Sequence, residues 1–118
     1  MILGLDHVQV VAPPGCEEAA RAFYSGVLGL EEVAKPELLA RRGGVWFRCG
    51  AQQLHVGVQE DFVAARLAHP GLVVASEAEL QELASRLDRV EWNEEIPGVR
   101  RFFTWDPWGN RVEVLVSS

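Results

Sequence analysis

Three histidines, His7, His55 and His69, and one glutamate, Glu113, stand at spacings that could build a metal site. An internal repeat links them. "LDHVQVVA" (5–12) sits over "LAHPGLVVA" (67–75) with one inserted residue, which lays His7 on His69. "QLHV" (53–56) sits over "RVEV" (111–114), which lays His55 on Glu113. His55 follows His7 by 48 positions, and Glu113 follows His69 by 44. Every histidine of the chain thus falls on a repeat-equivalent position, and the fourth such position is a carboxylate. Three imidazoles and a carboxylate suit a divalent transition metal such as zinc, nickel, manganese or iron. The plainer reading is that the histidines only hydrogen-bond across a polar cleft. Gln53 shares a strand face with His55, so it is the other candidate for the fourth ligand.

The elements that must hold these residues follow from hydrophobic periodicity. Leu5 to Ala12 alternates as a strand, with Leu5, His7, Gln9 and Val11 on one face. Pro13-Pro14-Gly15 stops it. Ala20, Phe23, Tyr24, Val27 and Leu28 then form one helical stripe, with Glu17 and Glu18 in the first turn and Gly29 as the stop. Segments at 30–33, near 38–41, at 44–49 and at 53–58 read as extended. After the connector "QEDFVAARL" (59–67) the order restarts. A strand at 68–75 leads into a capping box, Ser76 to Glu79, and a stripe of Leu80, Leu83, Ala84 and Leu87. Strands at 90–92, 100–105 and 111–116 follow, the last two joined by the turn "DPWGN". The expected fold is α+β: one domain over 1–118 made of two pseudo-symmetric βαβββ modules, about 1–60 and about 67–118. Each is a curved mixed sheet with one covering helix, around an open cleft.

Composition excludes several classes of function. A net charge of −6 in 118 residues makes nucleic acid a poor partner. No apolar run is long enough to span a membrane, and no secretory signal opens the chain, so a cytoplasmic protein is expected. Cys16 and Cys49 have no metal-knuckle or disulfide-framework spacing and read as reduced, buried thiols. Ten of the eleven basic residues are arginine; Lys35 is the exception.

The stretches "LDHVQV" (5–10), "FYSGVLGLEEV" (23–33), "HPGLVV" (69–74) and "DPWGNRVEVL" (106–115) resemble the vicinal oxygen chelate superfamily. Its members include glyoxalase I, fosfomycin-resistance proteins, extradiol dioxygenases and bleomycin-resistance proteins. The resemblance spans nearly the whole chain, and its last motif is the most specific. It implies a pair of βαβββ modules, often in a homodimer, with sites built within one chain or across two. It also implies that His7, His69 and Glu113 are metal ligands. Glyoxalase I usually carries a glutamate where His55 stands here. Without His55 the set is two histidines and a carboxylate, which suits non-haem iron. The implied function is a glyoxalase-like, metal-dependent protein. It would act on a small oxygen-rich substrate by Lewis-acid chelation, as a lyase, isomerase or dioxygenase, with Glu113 as ligand or general base. The alternative is a metal-free small-molecule binding protein of the bleomycin-resistance type. One or two of Arg41, Arg42, Arg48, Arg100, Arg101 and Arg111 are expected to clamp a substrate carboxylate or phosphate, the others being solvated. Trp46, Phe47, Phe103, Trp105 and Trp108 read as core or dimer packing.

Overall fold

The computed structural model describes residues 1–117 and divides into two compact units, Met1–Ala64 and Ala65–Ser118. Each unit is a four-stranded mixed sheet. The first contains β1 (His7–Ala12), β2 (Glu31–Val33), β3 (Val45–Cys49) and β4 (Gln52–Val58), in the order β1-β4-β3-β2. The second contains β5 (Gly71–Val74), β6 (Glu91–Asn93), β7 (Arg101–Trp105) and β8 (Arg111–Val116), in the order β5-β8-β7-β6. In both, the first strand pairs parallel with the last and the remaining pairs are antiparallel. This is the α+β fold of repeated βαβββ modules expected from the sequence.

Period-two alternation decides which side chains reach each sheet face. In the first unit Val45, Phe47, Leu54, Val56 and Ala12 are buried on one face, together with Ala20, Phe23 and Tyr24 from the helical segment. In the second unit Phe102, Val112 and Val114 pack with Leu80 of α3 (Glu77–Ser85). The opposite face of each sheet carries the polar residues that matter below. Among the described residues, no helix is long and apolar enough to cross a membrane.

Helix α3 begins as expected: the Ser76 hydroxyl accepts from the Glu79 N–H at 3.2 Å, and the Glu79 carboxylate accepts from the Ala75 N–H at 2.9 Å. The first helix differs from a plain α-helix. It opens as α1 (Glu17–Ala20) and widens into a π-helix over Arg21–Val27. Ser25 and Gly26 weaken the α preference there. The adjacent rings Phe23 and Tyr24 are both buried, edge to face at 4.9 Å. The segment expected to be extended near 38–41 is instead a single helical turn, α2 (Glu37–Ala40). Pro36 sets it up: its fixed φ of −54° places its carbonyl to accept from the N–H groups of Leu39 and Ala40.

One glycine ties α1 to the sheet. Gly44 has φ +87°, and a Cβ there would lie 2.2 Å from the Val56 carbonyl oxygen. Its N–H donates to the Glu17 carboxylate at 2.6 Å, which holds that carboxyl below its usual range.

The strand registers refine the internal repeat. His55 stands opposite Gln9, and Glu113 stands opposite Gly71. His7 and His69 each lie two residues before that partner, so the halves superpose here without the inserted residue. A one-residue insertion would have turned one histidine to the opposite sheet face.

Candidate metal centre

In the first unit, β1, β4 and β3 set His7, Gln53, His55 and Trp46 on the face away from the helix. His7 Nδ1 lies 2.9 Å from the Asp6 carboxylate. A carboxylate only accepts, so Nδ1 donates and Nε2 of the neutral ring keeps its lone pair. His55 is the reverse. Its Nε2 donates to the Gln53 amide oxygen at 2.8 Å. The ring is stacked between Trp46, with centroids 3.9 Å apart, and His7, 4.4 Å away. Burial, with the nearby His7 as a second cause, pushes the His55 pKa down, so it is a neutral imidazole near pH 7. An open pocket of about 750 Å³ on this face extends from both histidines to Lys35 and Arg42.

In the second unit, β8 and β7 carry Arg111, Glu113, Arg101, Phe103 and Trp105 on one face, and His69 precedes β5. Glu113 is largely buried. Its Oε1 is 3.1 Å from His69 Nε2 and 3.3 Å from Arg101 Nη1. His69 Nδ1 donates to the Leu67 carbonyl at 2.6 Å. Arg101 is held in turn by Asn93, whose Oδ1 accepts from Nε at 3.1 Å and from Nη2 at 2.8 Å. Phe103, directly opposite Glu113, lies under this group. The His69 ring meets it edge-on at 5.4 Å, and Arg111 stacks over it at 3.7 Å.

The His69–Glu113 pair tests whether a metal fits. The Leu67 carbonyl accepts the Nδ1–H bond, so in the neutral ring Nε2 faces the carboxylate oxygen lone pair to lone pair, and in the protonated ring Nε2–H donates to it. The lone-pair contact repels unless a proton or a cation lies at its vertex. Two donors each about 2.0–2.2 Å from one ion, at about 90–110°, stand about 2.8–3.6 Å apart. The observed 3.1 Å falls in that range. The backbone bond to Nδ1 is also the support that orients a ligating imidazole. The residues therefore fit a divalent ion as a two-donor half-site. Among the described residues, no three His, Cys, Asp or Glu side chains are grouped as a metal site.

The structure thus brings His7 together with His55, and His69 together with Glu113. Gln53, the other candidate for the fourth position, is the hydrogen-bond partner of His55. Sequence reasoning missed Asp6 and Asn93. Asp6 was visible as an acid beside His7. The Asn93–Arg101 pairing becomes readable only once the register of β6 on β7 is known.

No family model and no curated protein matches the chain. Many solved structures do. A glyoxalase family protein from Bacillus anthracis is 48% identical, with a TM-score of 0.94, and the alignment covers 100% of this chain and 98% of that one. Lactoylglutathione lyase from Agrobacterium tumefaciens is 27% identical, with a TM-score of 0.74 over 97% and 93% of the two chains. The fosfomycin resistance protein FosX from Listeria monocytogenes shares the fold at 18% identity and a TM-score of 0.74, over 100% and 96%. The same two-module fold and near-half identity to a glyoxalase family protein over nearly all of both chains place this chain in the glyoxalase family, within the vicinal oxygen chelate superfamily.

Proposed function

We propose that this glyoxalase-like chain is a divalent-metal-dependent enzyme acting on a small substrate with neighbouring oxygens. The observation that carries the reading is the pairing of His69 Nε2 with Glu113 Oε1, 3.1 Å apart, with the imidazole anchored from behind. Holding a transition ion takes more than two protein donors. In the second module His69 and Glu113 are the proposed ligands, and in the first His7 and His55 are the corresponding candidates. His7, like His69, has its Nδ1 anchored by an acceptor, which leaves Nε2 as the ligating nitrogen of the neutral ring. His55 is the weaker fourth member, because its Nε2 must leave Gln53 to serve.

When bound, the ion would supply Lewis-acid polarisation of the substrate oxygens. The protein's own groups do the rest. Arg101, locked by Asn93, fixes the Glu113 carboxylate and balances its charge. Glu113 can accept a proton from substrate carbon or water and return it to a neighbouring oxygen. Phe103 and Trp46 keep water from one side of each donor pair, which strengthens the electrostatics there.

Metal analysis of the protein purified without chelator tests the proposal, followed by titration of the stripped protein with Zn²⁺, Ni²⁺, Mn²⁺ and Fe²⁺. One ion bound per ligand set is expected. A chain that takes up none of the four overturns the reading and leaves a metal-free small-molecule binding protein.

A further inference from the structure

Arg111 is the residue the proposed chemistry leaves unexplained. Its Nε is buried, and among the described residues it is the buried side-chain polar atom with no hydrogen-bond partner. Native proteins leave few such groups, because an unpaired buried donor costs its full desolvation. Other arginines of this unit are compensated: Arg86 by Glu82, Arg89 by Glu91, Arg100 by Glu77 and Arg101 by Glu113. Arg111 has no carboxylate within ion-pair distance among the described residues. It is half-buried, unlike Arg66, which is exposed.

Its setting fixes how it can bind. The guanidinium carbon lies 3.7 Å from the Phe103 ring centroid, so one flat side is covered and the in-plane N–H donors remain for a ligand. Arg111 and Glu113 project from the same face of β8, two residues apart. Arg101, whose guanidinium carbon lies 5.2 Å from the same ring, is already committed to Glu113 and Asn93. Two guanidinium charges therefore face one carboxylate, and the surplus positive charge sits on Arg111.

We propose that Arg111 is the anion anchor of this face. It binds an oxyanion group of the substrate (a carboxylate, phosphate or phosphonate) through two in-plane N–H donors, beside His69 and Glu113. The substrate class is thus a small anionic oxyacid. The link to catalysis rests on the metal reading above; the anion site itself does not.

The test uses the full chain stripped of metal, with inorganic phosphate and methylphosphonate as probes. Trp105, opposite Arg111 on β7, is a fluorescence reporter. Calorimetry gives a second readout. Wild type is expected to bind both probes, and Arg111→Gln to weaken them by on the order of tenfold to a hundredfold. Arg111→Lys, which keeps the charge and loses the fork, should recover only part. Metal uptake is measured on the same variants: Arg111→Gln should keep it, and His69→Ala should lose it while still binding phosphate. Phosphate binding without metal uptake in wild type would defeat the metal reading and leave the anchor standing. Metal uptake with phosphate binding unchanged in Arg111→Gln would overturn the anchor. No probe binding to wild type, or an Arg111→Gln variant altered only in its sedimentation, would also overturn it; the latter would show Arg111 paired with a second copy. If Arg111→Gln does not fold, Arg111→Lys alone decides: probe affinity equal to wild type overturns the fork.

Discussion

Replacing His69 with alanine separates a ligand from a structural histidine, because the two roles predict different thermal shifts. In the metal-free protein the variant loses the bond to the Leu67 carbonyl and the edge contact on Phe103. The first contributes about 1 kcal/mol and the second about 0.5–1.5 kcal/mol. Glu113 keeps Arg101, so no buried carboxylate is stranded. A loss of about 2 kcal/mol in a domain of this length lowers Tm by about 6–12 °C. Metal acts in the other direction. At a free ion concentration 100 times Kd, binding adds about 2.7 kcal/mol to wild type, a rise of about 8–16 °C. In His69→Ala that rise should nearly vanish, while the cooperative transition of the metal-free variant persists. Differential scanning calorimetry with and without zinc or nickel reads both quantities on one sample. An undiminished metal-induced rise in the variant would refute His69 as a ligand. A metal-free variant with no cooperative transition would show the residue to be structural.

His55→Ala should weaken metal binding by about tenfold or more, and Gln53→Ala far less, since a neutral amide is the poorer ligand; His55→Glu should retain the ion. Equal losses from His55→Ala and Gln53→Ala, by calorimetric titration, would remove His55 from the set. Glu17 titrates lower in the folded chain than its ordinary value of 4.5, chiefly because the Gly44 N–H donates to it. The folded state then binds fewer protons than the unfolded one, so this stabilisation is complete above about pH 4.5 and is lost as pH falls through the folded value. Glu17→Gln should therefore flatten the acid side of the Tm–pH profile, and parallel profiles would contradict the linkage. A homodimer is expected in solution. Ile2, Leu3 and Leu5 are 93%, 101% and 73% exposed, and a second copy can cover such apolar surface. Sedimentation showing only monomer at micromolar concentration would count against it.

Strand alternation and the repeat made most of the fold legible, because period two is strict wherever one sheet face is buried. Val8, Val10, Leu54 and Val56 point one way; His7, Gln9, Gln53 and His55 point the other. Short local elements were not legible. The turn at Glu37–Ala40 depends on the Pro36 carbonyl and not on periodicity. The widening over Arg21–Val27 leaves no mark in the apolar spacing: Phe23 and Tyr24 are buried and Val27 and Leu28 half-buried. At the candidate site, residue types named the histidines and Glu113 but not their bonding. Which imidazole nitrogen is free depends on Asp6, Leu67 and Gln53, that is, on acceptors whose positions follow from the folded backbone.

The register also shows what the two halves do differently with one scaffold. Trp46 stands opposite His55, and Phe103 stands opposite Glu113, so each of these two donors has an aromatic neighbour on the adjacent strand. Two residues before each donor the halves part. The first has Gln53, a neutral amide that satisfies the buried His55; the second has Arg111, a cation with a buried donor unsatisfied. At this pair of positions the first half is therefore closed in charge and hydrogen bonding: a neutral, stacked imidazole on a neutral partner. The second keeps a carboxylate, an imidazole and a surplus guanidinium on one face. Charge that is stored and unpaired in the folded protein is what a reacting anion and a cation would neutralise. On this chain it is concentrated on β7 and β8, with His69 beside them.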